Sequence, residues 1–255
     1  MRLYLLIFLL AVMPLTNAQA KTLTHYMKTR IGLFDACSQT FAYKFTQNGR
    51  YDVKTTVKTT GTFGVVYPFK ATYHAYGSFN NTKFMPENYF YETDSFRHRT
   101  KEIVYKNGVP QYRISVKGDN KRQDDITIDE QYKTSNDLLT TFAELTYLVM
   151  QNKKCDFTQF SFNGKKYSKL TSVSEGKENI KTPYFEGEAE KCELSLQIVD
   201  DTEAGFFFDK DETVSFWVMK DKKSGLPFVA KVFLDSTPLG ELESFTTKIE
   251  VNYDK

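Results

Sequence analysis

YDVKTTVKTT, Tyr51 to Thr60, alternates without a break: Tyr51, Val53, Thr55, Val57 and Thr59 fall on one face, Asp52, Lys54, Thr56 and Lys58 on the other. A period of two residues is that of a β-strand with one wet side. The same beat returns in KATYHAYGS, NYFYETDS, EIVYK, QYRISVKG, FTQFSF, KYSKLTSV, ELSLQIV, TVSFWVMK, FVAKVFL and ESFTTKIEVNY. Between several of these lie Asn48-Gly49, Asn107-Gly108 and Asn163-Gly164, dipeptides that accept the positive φ angles of type I′ hairpin turns. About ten or more strands joined by hairpins make a largely antiparallel sheet, and a sheet of that many strands curls or closes. The predicted fold is therefore mainly β, a curved antiparallel sheet forming a half-barrel or open barrel.

One segment breaks the beat. TSNDLLTTFAELTYLVMQ, from Thr134 to Gln151, opens with Thr134 and Asp137 in capping-box spacing and carries Leu138, Phe142, Leu145 and Val149 on one helical face. Leu139, Leu148 and Met150 widen that face, and Thr140, Thr141 and Glu144 form the polar one. A membrane-seeking amphipathic helix needs a basic polar face, which this is not. The segment reads as one core α-helix packed on the concave side of the sheet.

VSFWVMKDKKSGLPFVAKVFL, Val214 to Leu234, reads as a hairpin: two apolar runs around a polar turn, with Gly225 free to adopt a left-handed conformation and Pro227 at the start of the returning strand. In its first strand both faces are partly apolar, as in a sheet covered on each side or wrapped around something.

The first twenty residues, MRLYLLIFLLAVMPLTNAQA, combine Arg2, an apolar run from Leu3 to Leu15 and the small pair Ala18 and Ala20 around Gln19. That is the layout of a secretory signal peptide cleaved after Ala20, which makes the expected location periplasmic. The expected organisation is a signal peptide over 1–20, a lead segment over 21–40, and a single β-rich domain over 41–255. No other apolar run is long enough to span a bilayer.

Lys and Arg number 34, one of them Arg2, against 32 Asp and Glu, so the mature chain is close to neutral. Nucleic acid and anionic membrane surfaces call for a basic excess that is missing here. Three cysteines in an exported chain leave one over. Cys155 and Cys192 bracket a hairpin and are the expected disulfide; Cys37 is then a free thiol, buried or open to an intermolecular bond.

No catalytic motif appears. His25, His74 and His98 stand at no metal-ligand spacing, and neither a G-x-S-x-G elbow nor a phosphate-binding glycine loop is present. The carboxylates at Asp124-Asp125, Asp129-Glu130 and Asp200-Asp201 to Glu203 do not follow the calcium-loop pattern and read as solvated. Nothing in the chain calls for a cofactor or a metal, and the chain is not expected to be an enzyme. The 22 Phe and 16 Tyr suit half-buried strands or an aromatic-lined pocket. Three consecutive phenylalanines, Phe206, Phe207 and Phe208, together with Trp217, are the candidate contacts for an apolar ligand.

A strand ending in Phe216-Trp217-Val218, Asp221 in the turn, Pro227, then Thr237-Pro238-Leu239-Gly240 before a last strand resembles the C-terminal pattern of the domain-of-unknown-function 3108 family, with a slightly longer turn. Upstream, Gly61, Gly77 and Met85-Pro86-Glu87-Asn88-Tyr89 resemble the family's opening. Asp137, the hairpin at Phe162-Asn163-Gly164-Lys165 and the cysteines around it also match some relatives, so the likeness runs from about Tyr43 to Val251. It implies a curved half-barrel around a helix, similar in outline to periplasmic carriers of lipoproteins and lipids, and it brings no catalytic residues. The leading reading is an exported domain that binds or carries a lipid or acyl chain in a groove between sheet and helix. The alternative is a cell-envelope protein-interaction or assembly factor, with the turn from Lys220 to Gly225 as a partner contact.

Overall fold

In the computed structural model the alternation seen in the sequence carries every strand into one sheet. The structure describes residues 21–80, 83–95, 98–151, 154–199, 213–235 and 237–253. The N-terminal strands are β1 (Lys21–Ile31), β2 (Phe34–Phe45), β3 (Arg50–Thr59), β4 (Lys70–Asn80), β5 (Lys83–Asp94), β6 (Arg99–Lys106), β7 (Val109–Lys117) and β8 (Asn120–Asp125). A six-residue helix, α1 (Gly61–Val66), lies between β3 and β4, and the longer α2 (Leu138–Met150) follows β8. Then come β9 (Phe157–Phe162), β10 (Tyr167–Lys181), β11 (Glu186–Ile198), β12 (Thr213–Lys220), β13 (Pro227–Leu234) and β14 (Leu242–Tyr253).

All fourteen strands form one sheet in the order β8-β7-β6-β5-β4-β3-β2-β1-β14-β13-β12-β11-β10-β9. Every ladder is antiparallel, and β1 joins the two halves by pairing with β2 on one side and β14 on the other. The segment 21–40, expected only to lead into the domain, thus supplies the central strand and most of its neighbour. Its inward stripe of Leu23, His25 and Met27 is fully or nearly fully buried, but the histidine interrupts the apolar pattern that marks the other strands.

Among the described residues the sheet does not close by hydrogen bonding. Instead the β9–β10 turn comes to rest on β6 and β7, where the Lys101 ammonium donates to the Asn163 carbonyl at 3.0 Å and the Arg113 guanidinium to the Gly164 carbonyl at 2.6 Å. Ile103, Tyr105, Tyr132, Phe162 and Tyr167 pack into one cluster across this seam. Gly164 is required twice over: its φ is +90°, and a Cβ there would lie 3.1 Å from Arg113 Cδ and 3.2 Å from Ile103 Cδ1. Of the three Asn-Gly pairs only Asn107-Gly108 takes positive φ at both residues. Asn163 instead accepts the backbone N–H groups of Lys165 and Lys166 on its side-chain oxygen, each at 3.0 Å, which builds a different turn.

Helix α2 lies against the sheet's inner face, in contact with β3, β4, β5, β9 and β13. Its N-cap is Asp137, whose carboxylate accepts the Thr140 N–H at 2.8 Å and the Thr140 hydroxyl at 2.6 Å. Thr134 lies upstream, and its carbonyl accepts the Gln159 amide at 2.9 Å. The expected polar face is not solvated: Thr140 and Thr141 are fully buried, whereas Leu138 is 41% exposed. With sheet on several sides of the helix, even its hydroxyls face protein, and the Tyr51 phenol meets Thr140 Oγ1 at 2.8 Å. Among the described residues no helix is long and apolar enough to cross a membrane.

The seam yields a prediction. A side chain at Gly118, which has φ +58° and open space around it, costs only backbone strain, about 1–2 kcal/mol. Gly164→Val should cost roughly twice as much as Gly118→Val in denaturant unfolding, because it also displaces Arg113 and Ile103. Equal costs would show that the seam is not a stabilising contact.

Candidate functional site

The inner face of the rolled sheet is lined with rings. Phe45, Phe79, Phe84 and Tyr147 stack or tilt against one another with centroids 4.8–6.2 Å apart, filling the space beside the helix toward β4 and β5. On the other side, between α2 and the strands β1, β2 and β11 to β13, the filling is incomplete. A cavity of about 220 Å³ remains there. Strands β1 and β2 contribute His25, Met27, Gln39, Phe41 and Tyr43; the helix contributes Phe142, Leu145, Thr146 and Val149. Opposite them stand Leu194 on β11, Val214, Phe216 and Val218 on β12, and Phe228, Val229 and Val232 on β13.

Among the described residues no charged side chain lines this space. Its polar groups are Gln39, Thr146, His25 and Tyr43. His25 stacks on Phe41 with centroids 5.1 Å apart and meets Tyr43 edge-on at 6.0 Å. Burial pushes its imidazole down from 6.5 to about 3, so the ring is neutral at physiological pH. Burial also holds the Tyr43 phenol well above its usual value, reinforced by the Asp221 carboxylate, so it stays protonated. Neither His25 Nδ1 nor the Tyr43 hydroxyl has a hydrogen-bond partner among the described residues.

The disulfide expected from the sequence is present, joining Cys155 to Cys192. It ties the segment after α2 to β11 and packs with Leu145, Val149, Phe216 and Val218, so it anchors the helix end beside the cavity wall. Cys37 is free and half-buried on β2.

Trp217, expected to touch the ligand, is not among the lining residues. Alternation turns Phe216 and Val218 to the cavity and sends the indole elsewhere. It packs with the cluster that holds Met219 and Phe228, its N–H donates to the Glu178 carboxylate, and Lys231 stands over the ring at 5.2 Å. Phe206, Phe207 and Phe208 lie outside the described residues. The residue that composition and motif missed is His25, and its one signal is the Leu23-His25-Met27 alternation, a histidine set into an apolar stripe.

A second buried polar group of residues sits at the start of α2. Burial raises the Asp137 carboxyl to about 6 despite its bonds to Thr140. Burial likewise raises Glu144 to about 7, against the Asn136 amide that donates to it at 3.0 Å. These groups cap and seat the helix. Elsewhere Asp124 is held by Arg113 and Arg122, each at 2.5 Å, and Asp129 caps the short 3-10 turn Glu130–Tyr132. His74 meets Asp52 at 3.1 Å, and His98 lies 3.7 Å from Glu92 and 3.5 Å from Asp94. Among the described residues no cluster of His, Cys, Asp and Glu has the geometry to hold a metal ion. The turn after β12 is a closed hairpin turn in which Asp221 accepts the Ser224 N–H at 2.8 Å and its hydroxyl at 2.7 Å.

Fold and cavity together define a rolled, open antiparallel β-barrel with an internal helix and an apolar pocket between them. The chain belongs to the family described as protein of unknown function DUF3108, whose match covers residues 22–239. No curated protein matches it. Among solved structures it is similar to a β-barrel-like protein of DUF1849 from Brucella abortus, at 7% identity over 92% of this chain and 98% of that one, with a TM-score of 0.46. It is also similar to a DUF1329 family protein from Desulfovibrio piger, at 11% identity over 92% and 86% of the chains and a TM-score of 0.27. At that distance neither bears on function.

His25 gives a pH prediction. Its folded-state pKa lies below that of the unfolded chain, so folding is fully supported above about pH 6.5 and loses support as the pH falls toward 3. Asp137 and Glu144, with raised values, act in the opposite sense and favour the folded form when protonated. Denaturant midpoints between pH 7 and 4 should therefore fall more steeply for the wild type than for His25→Phe. Parallel curves would show that the imidazole is not held neutral.

Proposed function

We propose that the chain is an exported periplasmic carrier or binding domain whose ligand is apolar and sits between α2 and the sheet. The observation that carries this reading is the cavity itself: about 220 Å³ walled mainly by Phe, Leu, Val and Met side chains. An engineered apolar cavity of about 150 Å³ stays dry and takes up benzene, so a space half as large again suits a ring or a segment of acyl chain. Such a volume does not take a whole two-chain lipid, which places any longer ligand partly outside. A solid core would have been the cheaper outcome of folding, since unfilled apolar volume costs about 24 cal/mol per Å³.

The reading as an envelope interaction or assembly factor is favoured by one specific observation. Leu33 in the β1–β2 loop, Phe34 at the start of β2, Val65 and Val66 in α1 and Leu239 in the β13–β14 loop stand exposed at the same end of the sheet. Such a rim suits contact with a membrane-bound or protein acceptor of the cargo, so the two readings are compatible.

Filling the cavity separates function from fold. Val232→Trp, which puts an indole into the space opposite Phe142, should abolish uptake of a neutral apolar fluorophore such as N-phenylnaphthylamine, with a thermal midpoint equal to or above that of the wild type. Native mass spectrometry of wild type taken from a periplasm without detergent should show an added mass that is lost on denaturation. A filled variant that still takes up the fluorophore would contradict the reading.

A further inference from the structure

We infer that the exposed rim made by the β1–β2 loop, α1 and the β13–β14 loop is a membrane-docking tip, whose apolar side chains enter the surface layer of a zwitterionic phospholipid bilayer. This goes beyond the cavity reading, because the tip can hold the protein at a lipid surface whatever the cavity contains.

The three elements form one patch. The Gly32 N–H donates to the Glu241 carbonyl at 2.9 Å, which ties the first loop to the third, and the Thr60 N–H donates to the Ala36 carbonyl at 3.0 Å, which sets α1 beside the start of β2. Leu33 is 96% exposed, Val65 83% and Val66 74%, and Phe34, Tyr67 and Leu239 are each more than half exposed. A helix as short as α1 is not stable by itself in water and ordinarily forms by burying an apolar face. This one buries none of its residues. Its backbone nevertheless bonds internally, Gly64 N–H to the Thr60 carbonyl at 3.0 Å and Tyr67 N–H to the Phe63 carbonyl at 2.8 Å, as a segment entering lipid requires.

Charge indicates what covers the patch. From Thr59 to Phe69 the sequence holds no charged residue, although 26% of the chain is charged. On the first loop the nearest carboxylate, Asp35, is paired with the Arg30 guanidinium at 3.1 Å. Behind the patch stands a collar of both signs, all exposed: Lys58 opposite Lys70 in the β3–β4 ladder, Asp94 opposite Lys70 on β5, and Asp235 and Glu241 on the third loop. An uncharged apex above a mixed collar complements a zwitterionic bilayer, with hydrocarbon beyond the tip and phosphate and amine groups level with the collar. An anionic surface would attract the two lysines and repel the three carboxylates. Protein interfaces draw their affinity mainly from Trp, Tyr and Arg, with Leu and Val under-represented, whereas the side chains that protrude furthest here are Leu33, Val65 and Val66. Tyr67, stacked on Phe69 with centroids 6.4 Å apart, follows α1 as the amphipathic ring that suits the membrane–water boundary.

The test is flotation of the mature chain from Lys21 with vesicles of phosphatidylcholine and phosphatidylethanolamine; residues 1–20 are left off because their own apolar run would bind lipid. The wild type should float with the vesicles, and equally well at high and low salt. Leu33→Asp and Val65→Asp should each weaken binding about tenfold or more, the factor expected for one buried aliphatic side chain. Both positions are exposed, so the thermal midpoints should not move. Val173→Asp, at an exposed position on β10, should leave binding unaltered. In Leu33→Trp the new indole should shift its emission to shorter wavelength on adding vesicles and be quenched by brominated acyl chains, against the constant signal of the buried Trp217. The inference is overturned if the wild type stays in solution, if it floats no better than Leu33→Asp and Val65→Asp, or if it floats only with anionic lipid at low salt. Absent flotation together with a crosslink from position 33 to one envelope protein would assign the rim to a protein partner and overturn it as well. Uptake of N-phenylnaphthylamine is a separate measurement, so failure of the tip leaves the cavity reading standing.

Discussion

A single thirteen-residue helix has to cover the inner face of a fourteen-stranded sheet, and that mismatch governs the rest of the structure. Strands about 4.8 Å apart make a sheet roughly 65 Å across, while a helix with its side chains is about 10–12 Å in diameter. Rolling the sheet brings its face to the helix from several sides. It also leaves more space than the helix fills, and the chain meets the deficit unevenly. Toward β4 and β5 a nest of rings, Phe45, Phe79, Phe84 and Tyr147, occupies the gap. Toward β11 to β13 smaller side chains, Val214, Val218, Val229 and Val232, leave it open.

The helix is held in that position by polar contacts at one end and a covalent bond at the other. Asp137 caps the first turn and, through Thr140, reaches the Tyr51 phenol on β3. Past the last turn Cys155 is bonded to Cys192 on β11. Closing a loop of 37 residues is worth about 4 kcal/mol in the chain-entropy picture, but its position matters as much as its energy. It clamps the helix end to the wall that carries Leu194, so the cavity is bounded by elements that cannot separate freely. The seam at Asn163 and Gly164 does the same for the two halves of the sheet.

Much of this is legible in the sequence. The strands announce themselves because each keeps one wet face, and the helix because its 3.6-residue period stands out in a chain of twos. The cysteine pair was legible because it brackets a hairpin. What the sequence concealed are features in which a polar residue faces inward. By pattern β1 reads as a lead segment because His25 and the surrounding threonines blur its alternation, although it is the strand that joins the two halves. Thr140 and Thr141 form the polar face of the helix by pattern, and nothing local records that Tyr51 of β3 meets Thr140 there. Trp217 looked like a ligand contact because an isolated indole stands out by type, while its strand neighbours Phe216 and Val218, unremarkable by type, line the cavity. Whether alternation encloses space or packs solid depends on the sizes of side chains brought together from distant strands, which pattern alone does not encode.

The central claim is that unfilled apolar space exists between α2 and the sheet, and the most direct measurement is a crystal structure of the mature protein under xenon pressure. Xenon enters dry apolar cavities of this size. The account predicts bound xenon among Phe142, Leu145, Phe216 and Val232. A structure with those side chains in mutual contact and no xenon between them would contradict it.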